Sequence, residues 1–315
     1  MRRSVPLLLI VCLFLLFSCS NTEERNDDRL EIMAASFPSY DAARAVAGDL
    51  ASITMLVPPG GGEHSYEPSI EDVIRISESD LFIYNGGESD TWITYILSDL
   101  DGATSTFSLL ENAAFTLYED EENIAWKEEN HDDHDHSHGR VLDEHVWTSP
   151  ENEIAIIQAL CEEIASLDED NREVYESNAA SYIEDIREVQ GTIRKIVEDG
   201  MRREIIVADR FPLLYFVTEF SLDYYAAYPG CSSESEPSAK TVAFLIDKVR
   251  DDGIPVVLHM ELANTLLSEV VAEETGAAVM EFSSCHNVAK RVFDSGVTYV
   301  DLMRQNAAVL KEALN

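Results

Sequence analysis

The residues best suited to chemistry in this chain fall between positions 130 and 147, NHDDHDHSHGRVLDEHVW, a stretch that holds five of the eight histidines. Neutral imidazole is the commonest side-chain ligand for zinc and its first-row neighbours. His131, His134, His136 and His138 are interleaved with Asp132, Asp133 and Asp135, the composition of an auxiliary metal-collecting tract. A solvated polar loop with incidental histidines is the competing reading, and the crowding of the imidazoles argues against it. His145 stands apart from the tract, beside Trp147 and a Ser-Pro helix start. His64 sits in residues 58–68, PPGGGEHSYEP, where glycines after a strand-like run make a sharp turn. Such a turn presents a side chain at the carboxyl edge of a sheet, where open α/β sheets bind ligands. A phosphate loop is disfavoured there, because no Gly-Lys-Ser/Thr follows and the acidic surroundings repel phosphate.

The amino terminus places this chemistry outside the cytoplasm. Arg2 and Arg3 precede an apolar run, residues 5–17, with the length of a signal-peptide core and too short to be a comfortable membrane span. The run ends in Leu16-Phe17-Ser18-Cys19, which resembles a bacterial lipobox in which Cys19 is lipidated; a plain secretory signal is the alternative. Residues 1–18 then form the signal peptide, and the polar residues 19–28 form a tether to the folded body. Removing residues 1–18, which carry two arginines and no acid, takes the formal charge from −38 to −40. Such a surface excludes nucleic acid and anionic membrane faces as partners and suits cations. Of the remaining cysteines, Cys161 lies on an apolar helical face and reads as core. Cys231 and Cys285 are candidates for a disulfide, with metal thiolate as the competing role.

The elements that must position these groups alternate. Residues 30–35, 53–57 and 81–84 read as strands, with helical spacing over 40–50 and 69–77 between them. Helices at 151–166 and 171–199 follow, the second long enough to brace two lobes. Strand patterns return at 204–208, 222–227, 255–260 and 278–282, with helices at 211–220, 238–251, 263–275 and 297–314. The expected fold is α/β: two lobes with parallel sheets flanked by helices, joined by one long rigid helix. The expected boundaries are a first lobe over 29–170 with a His-rich loop at 127–140, a linking helix over 171–200, and a second lobe over 201–315. The two lobes are expected to share an architecture.

The lipobox, PGGxxHxYEP around His64, the acidic His-rich insert and HVWxSP around His145 together resemble the substrate-binding lipoproteins of ABC-type zinc and manganese importers, the ZnuA/TroA-like (cluster A-I) family. The run ESEPSAKT at 234–241 and the terminal TYVDLMRQNAAVLKEAL are similar to segments of that family's second lobe. The likeness extends from about residue 29 to the end. It implies a TroA-like periplasmic-binding fold with one metal in the cleft between lobes, ligated by His64 and His145 from the first. Family members take a third ligand from a second-lobe helix start, where this chain has Arg210, and a guanidinium cannot ligate a cation. Asp209, one residue earlier, takes that place if the turn shifts, and His286 or Cys285 takes the last. If Arg210 points into the cleft, it raises the electrostatic cost of a dication and pairs with Asp209 or Glu236. An imidazole-rich site of His64, His145, His286 and Asp209 favours Zn2+, with Mn2+ as the alternative.

What the resemblance implies is capture of metal by a monomer at the bacterial cell envelope, extracytoplasmic and lipid-anchored at Cys19, and delivery to a membrane permease. The alternatives are an anchored metal buffer or adhesin that uses only the tract, and a zinc-dependent hydrolase. The enzyme has little support. No His-Glu-x-x-His occurs, and His259-Met260-Glu261 is not followed by Pro-Cys-x-x-Cys.

Overall fold

The structure, a computed structural model, describes residues 29–62, 66–87, 90–99, 102–119, 141–230 and 238–315. The first half builds β1 (Leu30–Ala34), α1 (Phe37–Ala47), β2 (Ala51–Met55), α2 (Ile70–Glu78), β3 (Leu81–Tyr84), α3 (Thr91–Asp99) and β4 (Ser105–Ser108). All pairings are parallel, in the order β2-β1-β3-β4. The near-continuous apolar character of β3 follows from burial on both faces, as parallel sheets require. Ser69 caps α2 in a reciprocal capping box with Asp72, the local reason a helix starts there.

Next come α4 (Pro150–Leu167) and α5 (Arg172–Asp199). Pro150 opens α4 behind Ser149, whose hydroxyl accepts from the Asn152 amide. The 28 residues of α5 span about 42 Å at 1.5 Å per residue. Its buried stripe of Tyr175, Ala179, Ile183, Ile186, Val189, Ile193 and Val197 keeps three-to-four spacing from end to end. That stripe packs against α1 and α4 on one side of the molecule and against α10 (Tyr299–Ala313) on the other.

The second half repeats the plan with β5 (Glu204–Phe211), α6 (Leu214–Phe220), β6 (Asp223–Pro229), α7 (Ala239–Asp251), β7 (Val256–Met260), α8 (Leu266–Thr275) and β8 (Ala278–Phe282), then the short α9 (Lys290–Phe293) before α10. The sheet order β6-β5-β7-β8 is the same permutation as the first. In both sheets the strand order reverses beside the first strand, and the crevice at the carboxyl ends there is where such sheets bind ligands. The shared architecture expected for the two halves is present.

Boundaries shift where backbone chemistry overrides side-chain periodicity. The helix expected from 211 starts at Leu214, because β5 runs on to Phe211 and Pro212 has no N–H to contribute to either element. The pattern also missed α3 and β4. The four residues of β4, Ser-Thr-Phe-Ser, carry only one large apolar side chain.

One core runs through both halves. A single buried cluster holds Ile32, Ile83, Trp147, Ile186, Val207, Phe216 and Leu310. Polar groups cross with it. Asp41 of α1 accepts from the Tyr182 hydroxyl of α5 and, at 2.8 Å, from the Tyr299 amide of α10, and pairs with Arg44 at 2.6 Å. The Arg44 guanidinium also donates to the Val297 carbonyl.

Candidate metal site

His145 lies in the turn before α4, fully buried. Its orientation is fixed by Asp143, whose Oδ1 accepts from the His145 amide at 2.8 Å and lies 3.0 Å from Nδ1. A carboxylate at Nδ1 holds the proton on that nitrogen and leaves the Nε2 lone pair for a ligand, the arrangement typical of metal-binding histidines. Tyr215 supports the same turn by donating to the Asp143 carbonyl at 2.6 Å. Gly230, past the end of β6, lies against the ring. A Cβ there would meet the Phe211 carbonyl oxygen at 3.0 Å and His145 Cε1 at 3.4 Å, so any larger residue would have to push its neighbours back by a few tenths of an ångström.

His286 comes from the opposite half, in the turn after β8. Glu261, at the end of β7, holds this turn by accepting from the Ser284 amide at 2.7 Å, the Ser284 hydroxyl at 2.6 Å and the His286 amide at 3.2 Å. Asn306 of α10 supports it from below, accepting from the Ser283 amide at 2.8 Å and donating to the Ser283 carbonyl at 2.7 Å. Cys285 sits at φ 58°, in the left-handed region, just before His286.

The two imidazoles meet. Their ring centroids are 5.4 Å apart at an interplanar angle of 89°, and both Nε2 atoms are buried. Two imidazoles bound through Nε2 to one tetrahedral zinc, with Zn–N at ~2.0–2.1 Å, would place their centroids about 5.2 Å apart. Trp147 packs against both rings, at 5.5 and 5.2 Å, while its indole N–H donates to the Ser284 carbonyl at 2.9 Å. One residue thereby ties the His145 turn to the His286 turn.

Asp209 and Arg210, near the end of β5, line the same cleft. The β5–β6 register shifts between Val207 and Arg210, which re-aims the side chains there. Asp209 Oδ1 accepts from the Arg210 amide at 2.8 Å and Oδ2 from the Met260 amide at 3.1 Å. Burial raises its pKa against the opposing pull of these two amides and of the Arg210 and His259 charges. The carboxylate is thus spent first on backbone, although each oxygen keeps a second lone pair. Among the described residues Arg210 makes no ion pair with Asp209 or any other acid; Glu236 lies outside them.

His64, His131, His134, His136, His138, Cys19 and Cys231 also lie outside the described residues. Gly60, Gly61 and Gly62, just before His64, border the cleft. Asn287 clamps that loop, donating to the Pro58 and Gly61 carbonyls at 3.1 and 2.8 Å. Among the described residues no three His, Cys, Asp or Glu side chains converge as a metal cluster; the pair His145–His286 is what they bring together. Cys285 is a free, fully buried thiol, its pKa raised by desolvation, and Cys231, its candidate disulfide partner, lies outside the described residues. Cys285 faces core and not cleft, which removes it as an alternative ligand. His259, on β7, bonds through Nδ1 with the Met260 carbonyl at 2.9 Å. Asp143, Glu261, Asn287 and Gly230 are the residues around the pair that the sequence did not reveal. Only Asp143, two residues before a histidine, carried a local hint.

His145 and His286 thus meet between two parallel α/β halves of the same sheet order. The family model "ZnuA: Zinc-uptake complex component A periplasmic" matches residues 32–313, and the chain belongs to that family. It is 27% identical over 325 residues to the zinc-binding lipoprotein AdcA of Streptococcus pneumoniae, covering 99% of this chain and 61% of that protein. The chain therefore spans about three-fifths of the length of that relative. To the high-affinity zinc uptake system protein ZnuA of Bacillus subtilis it is 26% identical, covering 97% of this chain and 96% of the relative. The crystal structure of the Zn(II)-bound ZnuA-like domain of S. pneumoniae AdcA superposes with a TM-score of 0.74 at 24% identity, covering 91% of this chain and 99% of that domain, which confirms the fold.

Proposed function

We propose that this protein captures a divalent metal ion, zinc foremost and manganese as the alternative, in the cleft between its halves and hands it to an ABC-type permease. Lipidation at Cys19 would hold it, as a monomer, on the outer side of the membrane that carries the permease, with 19–28 as tether. On this reading residues 29–170 and 201–315 are the two lobes and 171–200 the helix that braces them. His64, His145 and His286 carry the ion, Asp209 lies within reach, and the tract at His131–His138 gathers metal without forming the tight site.

The observation that carries the reading is the His145–His286 pair at 5.4 Å, two imidazoles from opposite halves at the spacing of one shared ion. The names of the AdcA and ZnuA relatives agree in pointing to zinc. A hydrolase is disfavoured by the family match, whose model describes a zinc-uptake component. A zinc-edge anomalous map from soaked crystals tests the assignment. It should show one strong peak within bonding distance of Nε2 of both His145 and His286. Peaks confined to residues 131–138 would leave only a metal buffer.

A further inference from the structure

Arg210 is a permanent cation on a cleft wall that it shares with His145, His286, Asp209 and Glu261. Both carboxylates of that wall are turned to donors of the chain itself. Asp209 accepts from the Arg210 and Met260 amides, and Glu261 from the Ser284 and His286 amides and the Ser284 hydroxyl. Hydrogen bonds to an ionised carboxylate make it a weaker base, and so a weaker oxygen ligand. Burial raises the Asp209 pKa and the Arg210 charge opposes that rise, so the field of the guanidinium reaches this carboxylate. Asp143 adds its charge from behind His145, on the Nδ1 side of the ring. When ionised, Asp143, Asp209 and Glu261 carry three negative charges, and Arg210 cuts these to two, the number that one dication cancels.

Metals differ in how they use such a wall. Manganese, magnesium and calcium draw their binding from carboxylate, carbonyl and water oxygens, and calcium sites gain affinity with the number of charged ligands. Zinc binds imidazole as readily as oxygen. The field of Arg210 opposes every dication alike. Its further action on the oxygen ligand falls on a hard cation more than on zinc, for which His64, His145 and His286 supply three nitrogens beside the single carboxylate of Asp209. We propose that Arg210 is a selectivity residue, which disfavours hard divalent cations such as manganese in the cleft and leaves zinc the imidazoles. This rests on the metal-capture reading and narrows its cargo to the softer of the two candidate ions.

The affinities of the full chain for zinc and manganese at the tight one-to-one site test this. Zinc is read by calorimetric competition against a chelator, and manganese by the electron paramagnetic resonance signal of the free aqueous ion. Arg210→Gln and Arg210→Met should each raise manganese affinity about tenfold and zinc affinity by less than about threefold. Arg210→Lys, which keeps the charge, should hold the wild-type ratio of the two affinities. A gain in affinity also shows that the neutral variants fold, since a damaged cleft would lose both metals. A zinc-to-manganese ratio unchanged in both neutral variants would overturn the proposal and leave metal capture standing. A ratio that Arg210→Lys shifts as far as Arg210→Gln would overturn it too, because shape and not charge would then set the preference. Loss of both metals in the neutral variants would make Arg210 a structural residue and overturn the selectivity role. A wild-type chain with no tight site for either metal would sink metal capture itself.

Discussion

Asp143 and Glu261 do the same work on opposite sides of the cleft: each spends a carboxylate on fixing a histidine. Asp143 sets the His145 ring through Nδ1, and Glu261 sets the backbone that carries His286. Replacing Asp143 by Asn keeps an acceptor but removes the charge that makes the imidazole a better donor. Loss of such an outer partner weakens metal affinity about 10–100-fold, which a competition titration against a zinc dye would read. An unchanged affinity would mean that His145 is not a ligand. Trp147→Phe keeps the packing against both imidazoles but removes the indole donor to Ser284. It should lower stability by about 1 kcal/mol, the net worth of one ordinary hydrogen bond plus an orphaned carbonyl, measured by denaturant unfolding. His145 was legible in the sequence beside Trp147 and a Ser-Pro helix start, whereas His286 came only through the family resemblance, with Cys285 as its alternative. Asp143 and Glu261 were not legible, since two carboxylates among sixty acids carry no mark of their own.

The elements were legible wherever an apolar stripe had to face a core. The stripe of α5 reads directly from its spacing, and the Ser69 and Thr298 capping boxes announce α2 and α10. What periodicity cannot show is where a helix hides a charge. Glu153 of α4 is 1% exposed, its Oε2 has no hydrogen-bond partner, and Asp41 lies nearby. Desolvation first, and the Asp41 charge second, raise its pKa well above the ordinary glutamate value. A carboxyl whose folded pKa is raised binds its proton more tightly in the native state. Its contribution is therefore complete below the unfolded-chain value and is lost as pH climbs toward the folded one. Glu153→Gln should unfold at a higher temperature than wild type near pH 8, and the difference should shrink toward zero near pH 4. Each unit of the raised pKa corresponds to about 1.4 kcal/mol. A stability difference that stayed the same from pH 4 to pH 8 would contradict the raised pKa.

At the scale of the molecule, two copies of one sheet permutation face each other across α5, and a continuous core joins them. A core that crosses the junction, reinforced by Asp41, Trp147 and Asn287, leaves little room for wide hinge opening. If the cleft takes metal as proposed, its exchange should need little rotation of one half against the other. The doubled architecture was legible because strands and helices alternate twice with a long helix between. The inter-half contacts were not, because partners such as Trp147 and Ser284 lie 137 residues apart. Metal that binds only the folded state stabilises it by about 4 kcal/mol at a thousandfold excess over Kd. Zinc should therefore raise the melting temperature of the whole chain in one transition.

The central claim is that one ion is held between the halves by His145 and His286. Calorimetric titration of zinc into the double variant His145→Ala/His286→Ala, with His131, His134, His136 and His138 untouched, tests it most directly. The account predicts that the tight one-to-one isotherm of the wild type disappears and only weak, multi-site binding remains. A variant that kept a tight single site would contradict it.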